Sequence, residues 1–323
     1  MKTTKFIHLV GKRDIMTFKR LLDKKSCFFS DSEAFINSYV INNQGLAWCF
    51  NDKKNIFFFN RFNEDAYFFC CPKGIDWQNK LFEVILNIKN DLGKNLKKIW
   101  LWELTEPIDN AYFDNRKIKS VSHTINKRYI SYLSGYKDIE RFLKKEGIRK
   151  IKQQWNRFFN NLYKHDSQAQ IFCKSLSKNN YRDSLKILNR WRLYTKENEF
   201  TSKKLIDRKR VFKKDLRMIK DVLKNPRLYE SLILYYGDTP MGINIAFKVG
   251  KTKNLSGGVF CADRIIPGTS EVLYLLFFEK LAKKGYLYYN WGNSYLSSIN
   301  KFKLKFFPTD YEYSHEYFIN FKS

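Results

Sequence analysis

The six-residue loop IIPGTS, at positions 265–270, has the residue types of an anion-binding site. It joins a predicted strand to an apolar helix, and the unpaired backbone amides at a helix start can bind anions such as phosphate. Gly268 would let a phosphate approach the main chain closely, and Pro267 would stiffen the turn. An ordinary capped helix start explains the same residues, so both interpretations stay open. The candidate phosphate-binding residues of this loop are Ile266, Pro267, Gly268, Thr269 and Ser270.

A row of three lysines follows in the stretch NWGNSYLSSINKFKLKFFP, which runs from Asn290 to Pro308. If this stretch is a helix, Lys301 and Lys305 lie one turn apart beside an apolar face. If it is a strand, Lys301, Lys303 and Lys305 share one face and apolar residues occupy the other. Either conformation aligns the three positive charges.

The sequence contains none of the motifs typical of hydrolytic triads, nucleotide loops or zinc proteases. It has no G-x-S-x-G elbow, Walker loop, dinucleotide glycine fingerprint or H-E-x-x-H helix. The chemistry that remains is catalysis by positioning, in which an activated acyl donor is held beside an amine and a general base. Four polar residues near the ends of predicted elements are candidates for proton transfer, although each also fits a structural role. They are Asp263, Glu271, Tyr289 and His315.

Positive charge dominates the chain, with 60 Lys and Arg against 32 Asp and Glu and a formal net charge of +28. Such an excess attracts RNA, DNA, anionic lipid headgroups or phosphorylated cofactors, and it makes their binding sensitive to salt. Two predicted helices concentrate the charge, GIRKIKQQWNRFFNNLY and KKLIDRKRVFKKDLRMIKDVL. A solvated basic surface is the alternative interpretation. The candidate polyanion-binding residues are Arg149, Lys150, Lys152, Arg157, Lys209 and Lys213.

Cysteine and histidine spacing gives no sign of a metal site. The six cysteines include no C-x-x-C pair and the four histidines have no ligand spacing, so we expect free thiols, no metal and no tightly bound cofactor. The opening residues MKTTKFIHLVGKRD lack the apolar core of a secretory signal, and the run VLYLLFF is too short to span a membrane. We therefore expect a cytoplasmic protein, with peripheral contact to an anionic membrane left open.

The elements that would position these residues occur twice in the same order. The first half reads as the strands GLAWCF, IFFFNRF and AYFFCC, the helix IDWQNKLFEVILNIKNDLG and the strand KKIWLWELT. The second half reads as the hairpin LYESLILYY and MGINIAFKV, the strand GGVFCADR, the buried helix EVLYLLFFEKLAKKG and the strand YLYYNWG. The loops PKG and PGTS stand at equivalent places. This repetition predicts an α/β fold of two like domains, 1–137 and 138–323, with the second entered through a basic helix.

The order hairpin, strand, turn, buried helix, strand resembles the fold of the N-acetyltransferase (GNAT) superfamily. The stretch YLYYNWGNSYLSSINKFKLKFFPTDYEY is similar to the closing motif of phosphatidylglycerol lysyltransferase catalytic domains and to the ending of FemAB-type aminoacyltransferases. In that motif a strand, Asn, Gly and Ser precede a helix that ends in Phe-Lys-x-Lys-Phe-x-Pro, which favours the helical interpretation here. The matching positions are Asn290, Gly292, Ser294, Phe302, Lys303, Lys305, Phe306 and Pro308.

This resemblance implies two tandem GNAT-like domains, mixed sheets flanked by helices, with the first domain mainly a scaffold. It implies that Asn290, Gly292 and Ser294 lie at the donor site and that Lys301, Lys303 and Lys305 bind donor phosphates. The donor would be aminoacyl-tRNA or acyl-CoA, and the acceptor a lipid headgroup hydroxyl or an amine. Because the net charge suits a large polyanion, transfer from charged tRNA is the leading hypothesis. An acyl-CoA-dependent N-acyltransferase is the alternative, and a non-catalytic nucleic-acid or membrane-surface binder is the third.

Overall fold

The computed structural model gives an α/β fold in which mixed sheets are flanked by helices, as predicted. The residues that it describes are 7–9, 11–21, 32–37, 46–49, 55–63, 66–74, 77–92, 96–114, 118–165, 170–197, 208–250, 252–292 and 297–322. Contacts group the chain into a first unit of residues 1–129, 249–252 and 311–323 and a second unit of residues 130–248 and 253–310. The domain ranges 1–137 and 138–323 stay a prediction.

The first unit contains a sheet with three helices. Its helices are α1 (Lys12–Leu21), α2 (Glu33–Phe35) and α3 (Trp77–Leu92). Its strands are β1 (Ile7–Leu9), β2 (Leu46–Cys49), β3 (Asn55–Asn63), β4 (Ala66–Gly74), β5 (Lys98–Leu104), β6 (Ile118–Tyr132, up to Tyr129) and β12 (Asp310–Phe321, from Tyr311). The strands are ordered β1-β2-β3-β4-β5-β12-β6.

Helix α3 supplies much of the core of the first unit. β4 and β5 pair in parallel, and a parallel pair needs a crossover connection, which α3 provides. Leu81 and Val84 of α3 are fully buried in one cluster with Phe57 of β3, Leu101 of β5 and Ile319 of β12. The four predicted strands and the helix of this half are confirmed. The predicted loop PKG was wrong, because β4 continues through these residues to Gly74 and pairs with β3 there.

The sequence analysis predicts neither β6 nor β12, because both strands are rich in polar residues. Polar side chains of the two strands bond to each other instead. Asn126 Nδ2 donates to Glu316 Oε1 at 2.8 Å, and Arg128 Nε donates to Ser314 Oγ at 3.1 Å. Arg128 is fully buried, so Ser314 gives its Nε a partner that water does not supply.

The second unit contains six helices around the end of β6 and five further strands. Its helices are α4 (Ile139–Phe142), α5 (Arg149–His165), α6 (Tyr181–Glu197), α7 (Arg208–Lys224), α8 (Thr269–Lys283) and α9 (Ser297–Leu304). Its further strands are β7 (Ile171–Lys174), β8 (Tyr229–Tyr236), β9 (Thr239–Val249), β10 (Asn254–Ala262) and β11 (Tyr288–Asn290). They are ordered β6-β11-β10-β9-β8-β7, with β10 and β11 parallel.

Helix α8 lies at the centre of the second unit, as its sequence predicts. Its side chains are buried around the whole circumference, including Val272, Leu275 and Phe278. The predicted hairpin of β8 and β9 is confirmed, as are strands β10 and β11. The lysine-bearing stretch forms α9, so the helical interpretation is correct. Within the described residues, no helix has both the length and the apolar character needed to cross a bilayer.

The rings of His123 and His315 contact each other between β6 and β12. Nε2 of His123 lies 3.0 Å from Nδ1 of His315, and the His123 ring stacks on Tyr317 with 4.2 Å between ring centroids. One histidine must donate and the other accept, so the contact needs at least one neutral ring. Burial lowers the pKa of both histidines, and His123 lowers the pKa of His315 further.

This pair should make the stability of the protein sensitive to mild acid. Because both folded pKa values lie below the ordinary value of 6.5, the unfolded chain takes up protons first as the pH falls. The contribution is therefore complete above the unfolded pKa and is lost as the pH falls through it towards the folded values. We expect His315→Gln to lose less melting temperature than the wild type between about pH 7.5 and about pH 5.5. His165→Gln is the control, and equal losses in wild type and His315→Gln would contradict the prediction.

Candidate functional site

The parallel strands β10 and β11 form the centre of the candidate site. β11 has only three residues, and its register pairs Tyr288–Asn290 with Asn254–Ser256. β10 continues to Ala262, so residues 257–262 extend beyond the end of β11. The backbone of β10 is therefore not paired by β11 over this part, and we call the point of separation the strand fork.

Two buried polar side chains meet at the strand fork. Ser256 and Asn290 are register partners and are both fully buried. Within the described part of the chain, Ser256 Oγ and Asn290 Nδ2 have no hydrogen-bond partner. Burying a polar atom without a partner is unfavourable, and such atoms are often completed by a ligand or a water molecule. The fork is therefore a place where a bound group could find hydrogen-bond donors.

Aromatic rings from four elements pack beside the strand fork. This aromatic cluster consists of Phe260, Tyr274, Phe278, Tyr289, Trp291, Phe302 and Phe306. Most of these rings are buried, whereas Phe260 and Phe302 are half-buried with 6.3 Å between their centroids.

The loop at 265–270 is held by contacts within the protein. Gly268 has a φ of +94°, and a Cβ at this position would lie 2.2 Å from the carbonyl oxygen of Gln154 in α5. Close packing against α5 therefore requires glycine. Thr269 Oγ1 donates to the carbonyl oxygen of Ile266 at 2.6 Å. Pro267 and Ser270 are half-buried. The phosphate role of the loop stays a prediction.

The residues after β11 are fixed by a buried lysine. Asn290 Oδ1 accepts from the backbone amide of Gly292 at 2.8 Å, and Lys303 Nζ donates to the Gly292 carbonyl oxygen at 2.6 Å. Lys303 is only 4% exposed, so its charge is directed at this turn. Ser294 lies outside the described residues.

The other two lysines of the row have different environments. Lys305 Nζ lies 2.9 Å from Oε1 of Glu271, in the first turn of α8. Lys301 is exposed. The structure thus brings Glu271 and Lys305 together as an ion pair, and Lys301 is the member of the row most accessible to a large anion.

The remaining candidates for proton transfer lie in structural contacts. Asp263 Oδ2 lies 3.4 Å from Nε of Arg190, and its Oδ1 accepts from the backbone amide of Ile265 at 3.0 Å. Tyr289 is buried, and burial together with neighbouring Tyr274 raises its pKa well above the ordinary value. His315 belongs to the first unit, in the histidine pair described above.

The predicted polyanion-binding residues are exposed wherever their side chains are described. They comprise Arg149, Lys150, Lys152 and Arg157 on α5 and Lys213 on α7. The side chain of Lys209 lies outside the described part. Helix α5 contains no Asp or Glu from Arg149 to His165, so its exposed face is cationic along its length.

Asp215 of α7 is a candidate that the sequence analysis does not predict. Its side chain is buried, with 9% exposed, and interacts electrostatically with the neighbouring Lys214. Burial raises the pKa of Asp215 to about 6, against the opposing effect of Lys214. Burial raises the pKa of Cys261, and Asp215 raises it further. Cys261 lies in the part of β10 that β11 does not pair. In the sequence, Asp215 is one of two acids among the many cations of α7, and this is the signal that could have indicated it.

A cavity of about 540 Å³ in the first unit lies at the helix start equivalent to that of α8. Its lining residues are Trp77, Gln78, Glu106, Pro107, Ile108, Asp109 and Tyr112. The described lining residues include two carboxylates and no cation, which is unfavourable for a phosphate. Within the described residues, no group of three His, Cys, Asp or Glu side chains is arranged to hold a metal ion.

No family model and no curated protein matches the sequence. Solved structures resemble it along nearly its whole length. A conserved protein of unknown function from Bacteroides thetaiotaomicron VPI-5482 is similar with a TM-score of 0.67 and 14% identity, over 98% of this chain and 99% of that one.

Two further structures have descriptive names. The C-terminal domain of a protein from Agrobacterium fabrum, which carries the name lysylphosphatidylglycerol synthetase, has a TM-score of 0.58 and 9% identity, over 94% of this chain and 92% of that one. A tandem GNAT protein from the clavulanic acid biosynthesis pathway has a TM-score of 0.52 and 7% identity, over 98% of both chains. At these identities the likeness establishes the fold, and the predicted tandem GNAT-like fold class is confirmed.

Gly268 and Gly292 allow the cost of close packing to be separated from the cost of backbone strain. Both have a positive φ, +94° and +69°, but a Cβ on Gly292 would meet nothing within 4 Å. We expect Gly268→Ala to lower the free energy of unfolding by about 3 kcal/mol, because backbone strain adds to a clash with Gln154. Gly292→Ala should cost about 1 kcal/mol, since only the strain applies. Chemical denaturation measures both values, and equal losses would contradict the packing argument.

Proposed function

We propose that this protein is an acyltransferase that moves an aminoacyl group from aminoacyl-tRNA to a lipid headgroup or an amine. The observation that carries the proposal is the strand fork, where β10 continues past β11 beside unpartnered Ser256 Oγ and Asn290 Nδ2. A reactive ester held there would meet hydrogen-bond donors for its developing negative charge. The likeness in fold to a tandem GNAT protein and to a domain named lysylphosphatidylglycerol synthetase supports this class of reaction.

The exposed cations of α5 favour a tRNA carrier over a small coenzyme. The helix has no acidic residue to offset Arg149, Lys150, Lys152 and Arg157. Such a face suits a long phosphate backbone and a salt-sensitive interaction. In this proposal Lys301 contacts donor phosphates directly. Lys303 and Lys305 act indirectly, because they fix the Gly292 turn and the start of α8.

Asp215 is proposed as the group that accepts the proton of the attacking amine or hydroxyl. A buried carboxylate with a pKa near 6 is mostly ionised at neutral pH and still basic enough to take a proton in the transition state. Asp215 is near enough to Cys261 to raise its pKa, and Cys261 lies in the part of β10 that β11 does not pair. This role does not need Asp263 or Glu271, which are already engaged in ion pairs.

The alternative is an acyl-CoA-dependent N-acyltransferase, which the likeness to the tandem GNAT protein favours. The two donors can be distinguished by incubating the protein with a mixture of labelled aminoacyl-tRNAs or with acyl-CoA, in the presence of lipid vesicles and amines. Label transferred from tRNA supports the proposal. Turnover of acyl-CoA alone would replace it with the alternative, and no turnover with either would favour a non-catalytic binder.

Removing the cations of α5 should weaken tRNA binding and reduce its dependence on salt. We expect the variant Arg149→Gln, Lys150→Gln, Lys152→Gln and Arg157→Gln to lower the slope of log affinity against log salt by up to about 3, because up to four phosphate contacts are lost. Filter binding over a range of salt concentrations measures this. The control replaces Lys224 and Lys283 by Gln. An unchanged slope in the α5 variant would remove the assignment of this face to tRNA.

Replacing Asp215 should affect the chemical step and leave donor binding intact. We expect Asp215→Asn, which keeps the shape and removes the charge, to slow single-turnover transfer by about 100-fold or more. The transfer rate of the variant should no longer rise with pH, whereas its affinity for tRNA should match that of the wild type. A variant with a normal rate, or one that loses tRNA affinity in parallel, would contradict this role.

A further inference from the structure

An exposed apolar patch lies on α9 and the turn that follows it. We call Leu304 and Phe307, which are three residues apart, the α9 patch; their exposed fractions are 47% and 50%. The inward side of the same segment packs in the core, with Phe306 fully buried. The segment is thus apolar on both sides. Core packing accounts for the inward side and leaves the outward side unexplained.

The backbone of Phe307 is strained in a way that turns its ring outward. Its φ is +47°, a left-handed value that bulky side chains rarely adopt, and among the described residues no other non-glycine residue has a positive φ. The preceding Phe306 is anchored, because its carbonyl oxygen accepts from the hydroxyl of Tyr136. Glycine or asparagine would adopt this conformation with less strain. Strain of this kind tends to occur where a side chain is held for binding, so the conformation of Phe307 indicates a contact with another molecule.

Positive charge surrounds the α9 patch. The Phe307 ring lies against Gly147, with 3.5 Å between its Cζ and the position of a Cβ on that glycine. Gly147 is part of the segment that joins α4 to α5, LKKEGIRK, which contains four cations and one acid. Lys144, Lys145 and Lys301 are exposed. An apolar centre flanked by lysines is the arrangement that binds the headgroup region of an anionic bilayer.

We propose that the α9 patch docks this protein onto an anionic lipid surface, with Phe307 and Leu304 inserted between headgroups and Lys144 and Lys145 on lipid phosphates. A second copy of the chain is disfavoured as the occupant, because two molecules of net charge +28 repel each other. RNA is disfavoured because the patch offers only one ring for base stacking, Phe307, and Leu304 offers none. The inference rests on the proposed function for its purpose, since a lipid acceptor must be reached at a membrane. Docking is measured without any donor, so either proposal can fail alone.

Vesicle co-sedimentation tests the docking surface. The full chain is mixed with vesicles of phosphatidylcholine, or of phosphatidylcholine with about 30% phosphatidylglycerol, at physiological ionic strength. We expect binding to the anionic vesicles, and we expect Leu304→Gln with Phe307→Asn to weaken it at least about tenfold. Asparagine tolerates a positive φ, so this variant should melt no lower than the wild type. Leu193→Gln on α6, where an exposed leucine lies outside the patch, is the matched control and should bind normally.

Charge and self-association are tested in parallel. We expect Lys144→Gln with Lys145→Gln to reduce the preference for anionic vesicles, because fewer cations face the lipid phosphates. Equal binding of wild type to both vesicle types would overturn the choice of an anionic surface. Unchanged binding by the Leu304 and Phe307 variant would overturn the patch itself. A dimer in sedimentation velocity that this variant abolishes would overturn the lipid assignment in favour of an interface between copies.

Discussion

Burial of α8 on every side is the constraint on which the second unit depends. Its apolar side chains leave no solvated face, so the charged groups at its ends must be matched by other elements. Glu271 pairs with Lys305 at the start, and Lys280 and Lys284 bond to Ser231 and Glu230 of β8 near the end. These ties fix α8 against its sheet and against α9. The short β11 and the strand fork follow from this arrangement, because α8 is the connection between β10 and β11.

The fold was largely predictable because its central elements are strongly apolar. The helix EVLYLLFFEKLAKKG and the hairpin of β8 and β9 have patterns that only a buried core explains. β12 was not predictable in the same way, because the sequence DYEYSHEYFINF gains its stability from side-chain partners far away in the chain. A pattern of local residues cannot reveal such partners.

The site was less predictable than the fold, because residue type does not determine environment. Three lysines that look equivalent in the sequence are exposed at Lys301, buried at Lys303 and ion-paired at Lys305. Gly268 fits a phosphate loop by type, whereas the structure shows that packing against α5 already requires it. Asp215 was hidden among cations, since only the folded arrangement shows that its carboxylate is buried. What a charge can do depends on neighbours contributed by other elements.

The position of β12 has a consequence for how the first unit is made. This strand lies between β5 and β6 in the sheet, although residues 133–309 separate it from β6 in the chain. During vectorial synthesis on a ribosome, β5 and β6 emerge long before the strand that belongs between them. β5 and β6 therefore cannot be joined through β12 until the second unit has been translated. Their free edges are exposed to incorrect pairing during that interval. Lys98 on β5 and Lys119 and Lys127 on β6 fit this need, because charged side chains on strand edges oppose pairing with other chains.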